Sequence, residues 1–194
     1  MKDQLQNIHD QLDESARIKE MIRDRYSETI LKTVDLMISC YKNGGKLLIC
    51  GNGGSAADSQ HFAAEMVGRL VKDRDPLPAI ALTTDTSILT AIGNDYSYDV
   101  VFRKQVEALG KPGDILVCMS TSGNSENVVQ AILAAKEKNI QTVALLGKSG
   151  GKIAAMADYA IVVPSNVSQR IQEGHITIIH IWCEIIENTL FPDA

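Results

Sequence analysis

The chain of 194 residues has 19 Lys and Arg against 24 Asp and Glu, a formal net charge of −5. This mild acidity argues against a dedicated nucleic-acid-binding protein, which usually has a basic surface. A hydrophobic content of 45% with 22% charged residues argues against a disordered chain. The length fits one domain with a sizeable core.

The first 42 residues are expected to form two amphipathic helices. Leu5, Ile8 and Leu12 recur at helical spacing, and a second apolar periodicity runs from Ile30 to Tyr41. The Gly-Gly pair after Asn43 ends the second helix, because glycine tolerates the left-handed backbone that a helix end often needs.

The same N-terminal stretch lacks the apolar core of a secretory signal. No part of the sequence approaches the roughly 20 consecutive apolar residues of a membrane span. We therefore expect a cytoplasmic protein without a membrane partner.

Beyond residue 42, five short apolar runs predict buried parallel strands. They lie at 46–51, 79–83, 114–120, 141–147 and 159–164. Helical patterns alternate with them at 56–70, 86–108 (in one or two pieces), 125–138, 149–157 and 168–190. This alternation predicts an α/β fold with one five-stranded parallel sheet flanked by helices and preceded by a helical extension.

The cysteines are isolated within apolar runs. Cys40, Cys50, Cys118 and Cys183 form no Cys-x-x-Cys pair. Cysteine in such runs behaves as a small hydrophobic residue, so we predict buried free thiols and neither disulfides nor a cysteine-ligated zinc.

Two of the predicted strands end in loops rich in glycine and hydroxyl groups. Loop 1 (residues 51–55, Gly-Asn-Gly-Gly-Ser) follows the first strand, and loop 2 (residues 120–125, Ser-Thr-Ser-Gly-Asn-Ser) follows the third. Each enters a helix whose free N–H groups and dipole favour an anion, and glycine allows close backbone approach. Because open parallel sheets bind ligands beyond the carboxyl ends of their strands, the two loops predict a cradle for a phosphate and sugar hydroxyls.

A simpler interpretation treats both loops as tight turns with serine as the helix N-cap. Neither loop has the Gly-Lys-Ser/Thr ending of a nucleotide P-loop, which excludes that motif. Gly51, Gly53 and Ala56 loosely match a dinucleotide fingerprint, but Asp85, the acid after the next strand, comes too late for it.

Four polar side chains have a spacing that suits a metal site. His61 and Glu65 are four residues apart on the helix that leaves loop 1, which puts both on one face. Gln172 and His180 are eight residues apart on the last helix and can lean toward a common point, whereas His175 faces elsewhere. Two imidazoles, a carboxylate and an amide oxygen suit zinc or a similar divalent ion.

The same residues also suit proton transfer next to a carbonyl. A carboxylate can remove a proton from the carbon alpha to C=O while a second group protonates the oxygen. Aldose–ketose isomerisation needs that pair and no organic cofactor, which makes Glu65 the candidate base and His180 the candidate acid. The sequence leaves open whether these two residues bind a metal, move protons or do both. His61 and Glu65 could instead form a solvated surface pair, and we interpret His9 and His175 as core histidines.

Four separated segments resemble the phosphoheptose (sedoheptulose 7-phosphate) isomerase family. They are residues 50–69, 82–95, 120–128 and 170–187, within a similarity that spans about residues 40–190. The resemblance implies a sugar isomerase (SIS) domain at 43–194, with residues 1–42 as N-terminal helices of the same domain. It also implies a homotetramer with active sites between subunits.

The resemblance implies an enzyme that converts sedoheptulose 7-phosphate to D-glycero-D-manno-heptose 7-phosphate through an enediol. That reaction is the first step toward activated heptose for lipopolysaccharide and other surface glycans. The base is then Glu65, the acid is His180, and His61, Glu65, Gln172 and His180 hold one zinc ion per subunit. Substrate contacts are implied for Asn52, Gly53, Gly54, Ser55, Glu65, Asn94, Asp95, Ser120, Thr121, Ser122, Ser125 and Gln172.

The alternatives share the fold but not the chemistry. A non-catalytic SIS protein that binds the DnaA replication initiator has a similar tail, Asn-Thr-Leu-Phe-Pro at 188–192 here, but lacks the equivalents of Glu65 and His180. An isomerase or sensor of another sugar phosphate would show the same architecture. Gln169 stands where some members of the isomerase family have Asp, and neither Gln169 nor Arg69 is assigned a role.

Overall fold

The computed structural model describes residues 2–194, which form one five-stranded parallel sheet flanked by helices. The strands are β1 (Leu47–Gly51), β2 (Ala79–Ala81), β3 (Ile115–Ser120), β4 (Gln141–Leu146) and β5 (Tyr159–Val162). The helices are α1 (Lys2–Lys42), α2 (Gly54–Val67), α3 (Thr86–Asp95), α4 (Val101–Leu109), α5 (Glu126–Glu137), α6 (Ile153–Met156) and α7 (Ser168–Leu190). The predicted α/β class is confirmed, and each strand starts and ends within two residues of its expected position.

The strand order places loop 1 and loop 2 side by side. Across the sheet the order is β2-β1-β3-β4-β5, and all neighbouring strands are parallel. After β1 the chain adds β2 on one side and then returns to place β3 on the other, with Cys50 beside Cys118. This reversal creates a switch point between β1 and β3, which is where open α/β sheets bind ligands.

The N-terminal segment forms one helix of 41 residues, so the prediction of two separate helices is wrong. No Gly or Pro occurs between Leu12 and Ile30 to end a helix. Ile18 and Ile22, in the middle stretch, are buried in the same core as Trp182 of α7. Packing against α7 therefore continues the helix through a stretch whose own apolar periodicity is weak.

Two other helices differ from their predicted extent. The pattern at 86–108 divides into α3, a 3₁₀ turn at Tyr98–Val100 and α4. Asp85 begins α3 because its carboxylate accepts a hydrogen bond from the Ile88 N–H at 2.9 Å. The helix expected at 149–157 shortens to α6, since Gly150 and Gly151 have positive φ angles of 81° and 54° that a right-handed helix does not allow.

The sheet separates two apolar cores. One core packs α1, α2 and α7 against the face of the sheet that includes Ile49, and the other packs α4 and α5 against the face that includes Leu48. All four cysteines are free and buried, as predicted. Within residues 2–194, no helix has both the length and the apolar character needed to cross a membrane.

Candidate active site at the carboxyl edge of the sheet

Loop 1 turns directly into α2. Gly53 has a φ of 57°, in the left-handed region that favours glycine. At Gly54 an added Cβ would meet the side-chain amide of Gln172. The backbone of loop 1 thus packs closely against a side chain of α7.

Loop 2 holds a cluster of serine hydroxyls. Ser120 Oγ lies 3.0 Å from Ser125 Oγ and 3.4 Å from Ser122 Oγ, and it accepts a hydrogen bond from the Gly123 N–H at 3.1 Å. Thr121, next to this cluster, is half-buried. These hydroxyls face one another at the start of α5 and provide several donors within a small space.

No serine side chain makes a capping bond at either loop, although a serine does stand at the N-cap of α5, as the simpler interpretation expected. The N-cap of α2 is Gly53, which has no side chain to offer. The N-cap of α5 is Ser125, whose hydroxyl contacts Ser120 and makes no capping bond. The first-turn N–H groups are therefore not occupied by a serine side chain, although in α2 those of Ser55 and Ala56 already donate to backbone carbonyl oxygens.

A pair of asparagines joins the two loops. Asn52 Nδ2 donates to Asn127 Oδ1 at 2.9 Å, and Asn127 Nδ2 donates back to Asn52 Oδ1 at 2.9 Å. The Tyr98 hydroxyl also donates to Asn52 Oδ1, at 3.3 Å. The Asn52 amide oxygen thus has two donors from the protein, whereas only one of the two N–H groups of Nδ2 is used in this pair.

Three of the predicted metal ligands converge although they are distant in sequence. His61 Nε2 lies 2.9 Å from His180 Nε2, which is 119 residues away in the chain, and 3.2 Å from Glu65 Oε1. One ligand atom from each of the three residues lies within 4.8 Å of the others. The group, called the trio below, joins α2 to α7 and is open to solvent, because both histidines are exposed and Glu65 is half-buried.

The donor set of the trio fits a divalent metal. Two imidazoles and one carboxylate are the protein ligands of many catalytic zinc sites, which keep a further position for water or substrate. Gln172, the fourth predicted ligand, lies half-buried against Gly54 of loop 1. Its amide therefore borders the cradle, and its role as a ligand stays a prediction.

The remaining predicted substrate residues differ in exposure. Asn94 and Asp95 are exposed at the end of α3, where Asn94 Nδ2 donates to Asp95 Oδ1 at 2.8 Å. Ser55 is buried at the start of α2. Their contacts with a substrate stay predictions.

Of the two histidines predicted to lie in the core, His175 is confirmed and His9 is wrong. His175 is fully buried, with Nε2 3.0 Å from the carbonyl oxygen of Leu146, as a core histidine should be. Burial lowers its pKa to about 4. His9 is exposed on α1, because the first turns of that helix pack against little of the chain, so it is not a core residue.

Sequence reasoning missed the asparagine pair. Asn127 lies in α5, the helix that follows loop 2, and is 4% exposed. The signal available in the sequence was an amide next to the apolar residues of this helix, because a buried amide needs a hydrogen-bond partner. Its partner could not be identified from spacing, because 75 residues separate it from Asn52.

Comparisons with known proteins identify relatives over most of the chain. A family model described as SIS domain matches residues 11–147. A phosphoheptose isomerase of Geobacter sp. (strain M21) is 54% identical over 187 residues, covering 96% of this chain and 97% of that protein.

Two solved structures have the same fold over nearly the whole chain. The phosphoheptose isomerase GmhA of Neisseria gonorrhoeae is 50% identical with a TM-score of 0.90, covering 95% of this chain and 98% of its own. A phosphoheptose isomerase of Francisella tularensis is 39% identical with a TM-score of 0.92 and the same coverage.

Proposed function

Because the chain belongs to the phosphoheptose isomerase family of SIS-domain proteins, we propose that it converts sedoheptulose 7-phosphate to D-glycero-D-manno-heptose 7-phosphate. It is an aldose–ketose isomerase. The observation that supports this most directly is the convergence of His61, Glu65 and His180 on the helices that border loop 1. The DnaA-binding alternative lacks the equivalents of Glu65 and His180, and no observation favours it.

The reaction moves one proton between neighbouring carbons. In the proposed mechanism Glu65 removes a proton from C1 of the ketose while His180 supplies a proton to the oxygen on C2, which forms an enediol. His180 then takes the proton of the C1 hydroxyl as C1 becomes the aldehyde, and Glu65 returns a proton to C2, so both side chains end in their starting protonation states. No organic cofactor is needed, because the reaction only redistributes hydrogen within the substrate.

The loops have the chemistry to hold the substrate in place. The serine hydroxyls of loop 2 and the uncapped helix N-termini suit the phosphate and the sugar hydroxyls. Gln172 joins α7 to loop 1 at Gly54 and so connects the cradle to the helix of His180. Fixing the substrate in this way converts the proton transfers into effectively intramolecular steps.

We propose zinc as the cofactor, held by the trio with Gln172 as a fourth ligand. When bound, a zinc ion supplies Lewis acidity that stabilises negative charge on substrate oxygens. The trio's two imidazoles and one carboxylate support this assignment.

We also propose a cytoplasmic homotetramer with active sites between subunits, working in the synthesis of activated heptose for lipopolysaccharide. The surface of the chain supports self-association. An apolar groove of about 240 Å³ lies between α1 and α7, lined in part by Ile22, Ile30 and Ile185. Leu5, Ile8 and Leu12 are also more than half exposed along α1.

The experiment that tests the function follows the sugar by NMR in D₂O, with purified protein incubated with and without zinc. We expect heptose 7-phosphate with deuterium at C2, because a proton held by Glu65 exchanges with solvent before its return. No conversion by a folded, zinc-loaded protein would contradict the proposal and make initiator binding the next assay. Full activity of a verified zinc-free sample would show that the trio acts by acid–base catalysis without a metal.

A further inference from the structure

A buried ion pair lies at the C-terminal end of α2, the helix that supplies two residues of the trio. Arg74, in the segment between α2 and β2, places Nε 3.2 Å from Oε1 of Glu187 on α7. Their side chains are 0% and 2% exposed. Neither residue was singled out in the sequence.

Glu187 holds the segment that follows α2. Its Oε1 accepts a hydrogen bond from the Leu70 N–H at 2.9 Å, and its Oε2 accepts from the Val71 and Lys72 N–H groups at 3.0 and 3.2 Å. Burial alone would raise the pKa of this carboxyl, but these three N–H groups and Arg74 bring it below its usual value. The carboxylate is therefore ionised and fully hydrogen-bonded at neutral pH.

Arg74 holds the end of α2 itself. Its Nη2 donates to the carbonyl oxygen of Glu65 at 2.8 Å, and its Nη1 donates to the carbonyl oxygen of Met66 at 2.9 Å. The last carbonyls of a helix have no partner within the helix, and a cation there also interacts favourably with the helix dipole. The guanidinium thus contacts the main chain of a trio residue directly.

The ion pair consequently ties together the two helices that supply the trio. His61 and Glu65 lie on α2 and His180 lies on α7, so the spacing of their ligand atoms depends on how these helices are held. A buried ion pair is weak evidence for stability, because apolar replacements are often as stable. Precise placement of ligands, in contrast, is sensitive to the groups that support them.

We propose that Arg74 and Glu187 are positioning residues that set the geometry of the trio for metal binding. This inference rests on the proposed function, since it assumes that the trio binds zinc. The pair acts through the main chain of Glu65, whose carbonyl oxygen accepts a hydrogen bond from Arg74.

The test measures zinc affinity, by competition with a chromogenic chelator, and thermal unfolding of the zinc-free protein. We expect Glu187→Gln and Arg74→Lys to weaken zinc binding about tenfold or more, the range seen when groups that orient metal ligands are removed. Arg74→Lys keeps the charge but cannot bind two carbonyls in a fork. In both variants kcat should fall more than KM rises.

The matched control is Asp114→Asn, directly before β3. Asp114 is also buried, pairs with Lys46 at 2.6 Å and accepts backbone N–H groups from Lys46 and Lys111. We expect this variant to unfold at a lower temperature with an unchanged zinc dissociation constant. If Glu187→Gln does not fold, the double variant Arg74→Met with Glu187→Leu removes both charges together.

The outcomes separate the two proposals. Variants of the pair that unfold earlier but bind zinc as tightly as the wild type would show a merely structural role and overturn the inference. A wild-type protein that binds no zinc would overturn the proposed metal centre, and this inference with it.

Discussion

At the scale of the residue, Glu65 has two proposed tasks. Its Oε1 lies 3.2 Å from His61 Nε2, which places it beside the imidazoles of the proposed metal site, and its side chain is half-buried. A carboxylate offers two oxygens, so one can bind a metal while the other accepts a proton.

Replacing Glu65 with Gln tests the base without a change in volume. We expect kcat to fall by about 10²–10⁴-fold, because an amide cannot accept the proton, while circular dichroism and the oligomeric state stay those of the wild type. Glu28→Gln, an exposed position on α1, is the matched control and should retain full turnover. Normal activity of Glu65→Gln would show that Glu65 is not the base.

Because His175 is buried, we expect the protein to lose stability in acid. The unfolded chain takes up a proton at this residue below about pH 6.5, whereas the folded protein does so only near pH 4, since burial lowers the pKa. The free energy of unfolding should thus be unaffected above pH 6.5 and fall as the pH drops toward 4, by about 3 kcal/mol.

Urea unfolding over that pH range checks the His175 prediction. His175→Gln, which keeps a donor for the Leu146 carbonyl but does not titrate there, should lose less stability between pH 6.5 and 4 than the wild type. An identical pH dependence in both proteins would assign the loss to other groups.

At the scale of the element, the two βα loops work as one unit because Asn52 and Asn127 exchange two hydrogen bonds. Each loop alone resembles an ordinary turn. Their amide pair, closed by Tyr98, fixes the distance between the backbone of loop 1 and the hydroxyls of loop 2.

We expect Asn127→Ala to raise KM for the sugar phosphate about tenfold, or about 1.4 kcal/mol, with a smaller effect on kcat. The reason is that the cradle loses its tie while the trio on α2 and α7 is unchanged. The double variant with Asn52→Ala should be no worse than either single variant, since both remove the same bridge. Gln130→Ala, which removes only a local contact with Glu126 on the same helix, is the control. Additive effects in the double variant would contradict the proposal that Asn52 and Asn127 act as one bridge.

At the scale of the whole molecule, the apolar groove between α1 and α7 predicts self-association. Leu31 and Ile181 line it and are 54% and 37% exposed, although both are large and apolar. Burying such residues against a second copy would contribute about 25 cal/mol per Å² of apolar surface.

A charge in this groove should break the assembly. We expect Leu31→Asp to convert the proposed tetramer to smaller species by light scattering, and to lower activity if subunits share active sites. Lys32→Asp changes the charge at the next exposed position outside the groove, so it should leave the assembly intact. An unaltered mass for Leu31→Asp would place the interface elsewhere.

The sequence by itself determined the sheet, the two loops and the separate halves of the trio. Apolar runs such as Leu47–Gly51 report burial, which is a local property, and a spacing of four residues puts His61 and Glu65 on one helix face whatever the rest of the chain does. That both loops lie at a switch point depends on the strand order β2-β1-β3-β4-β5, which only the structure shows.

Only the tertiary structure decided which residues meet across the fold. It made α1 one helix by packing its middle on α7, joined Asn52 to Asn127, and paired Arg74 with Glu187 over a separation of 113 residues. Such contacts leave no periodic signal, because one buried polar residue looks the same in sequence with or without its partner. The partner is set by how helices pack on the sheet, and that depends on the whole core at once.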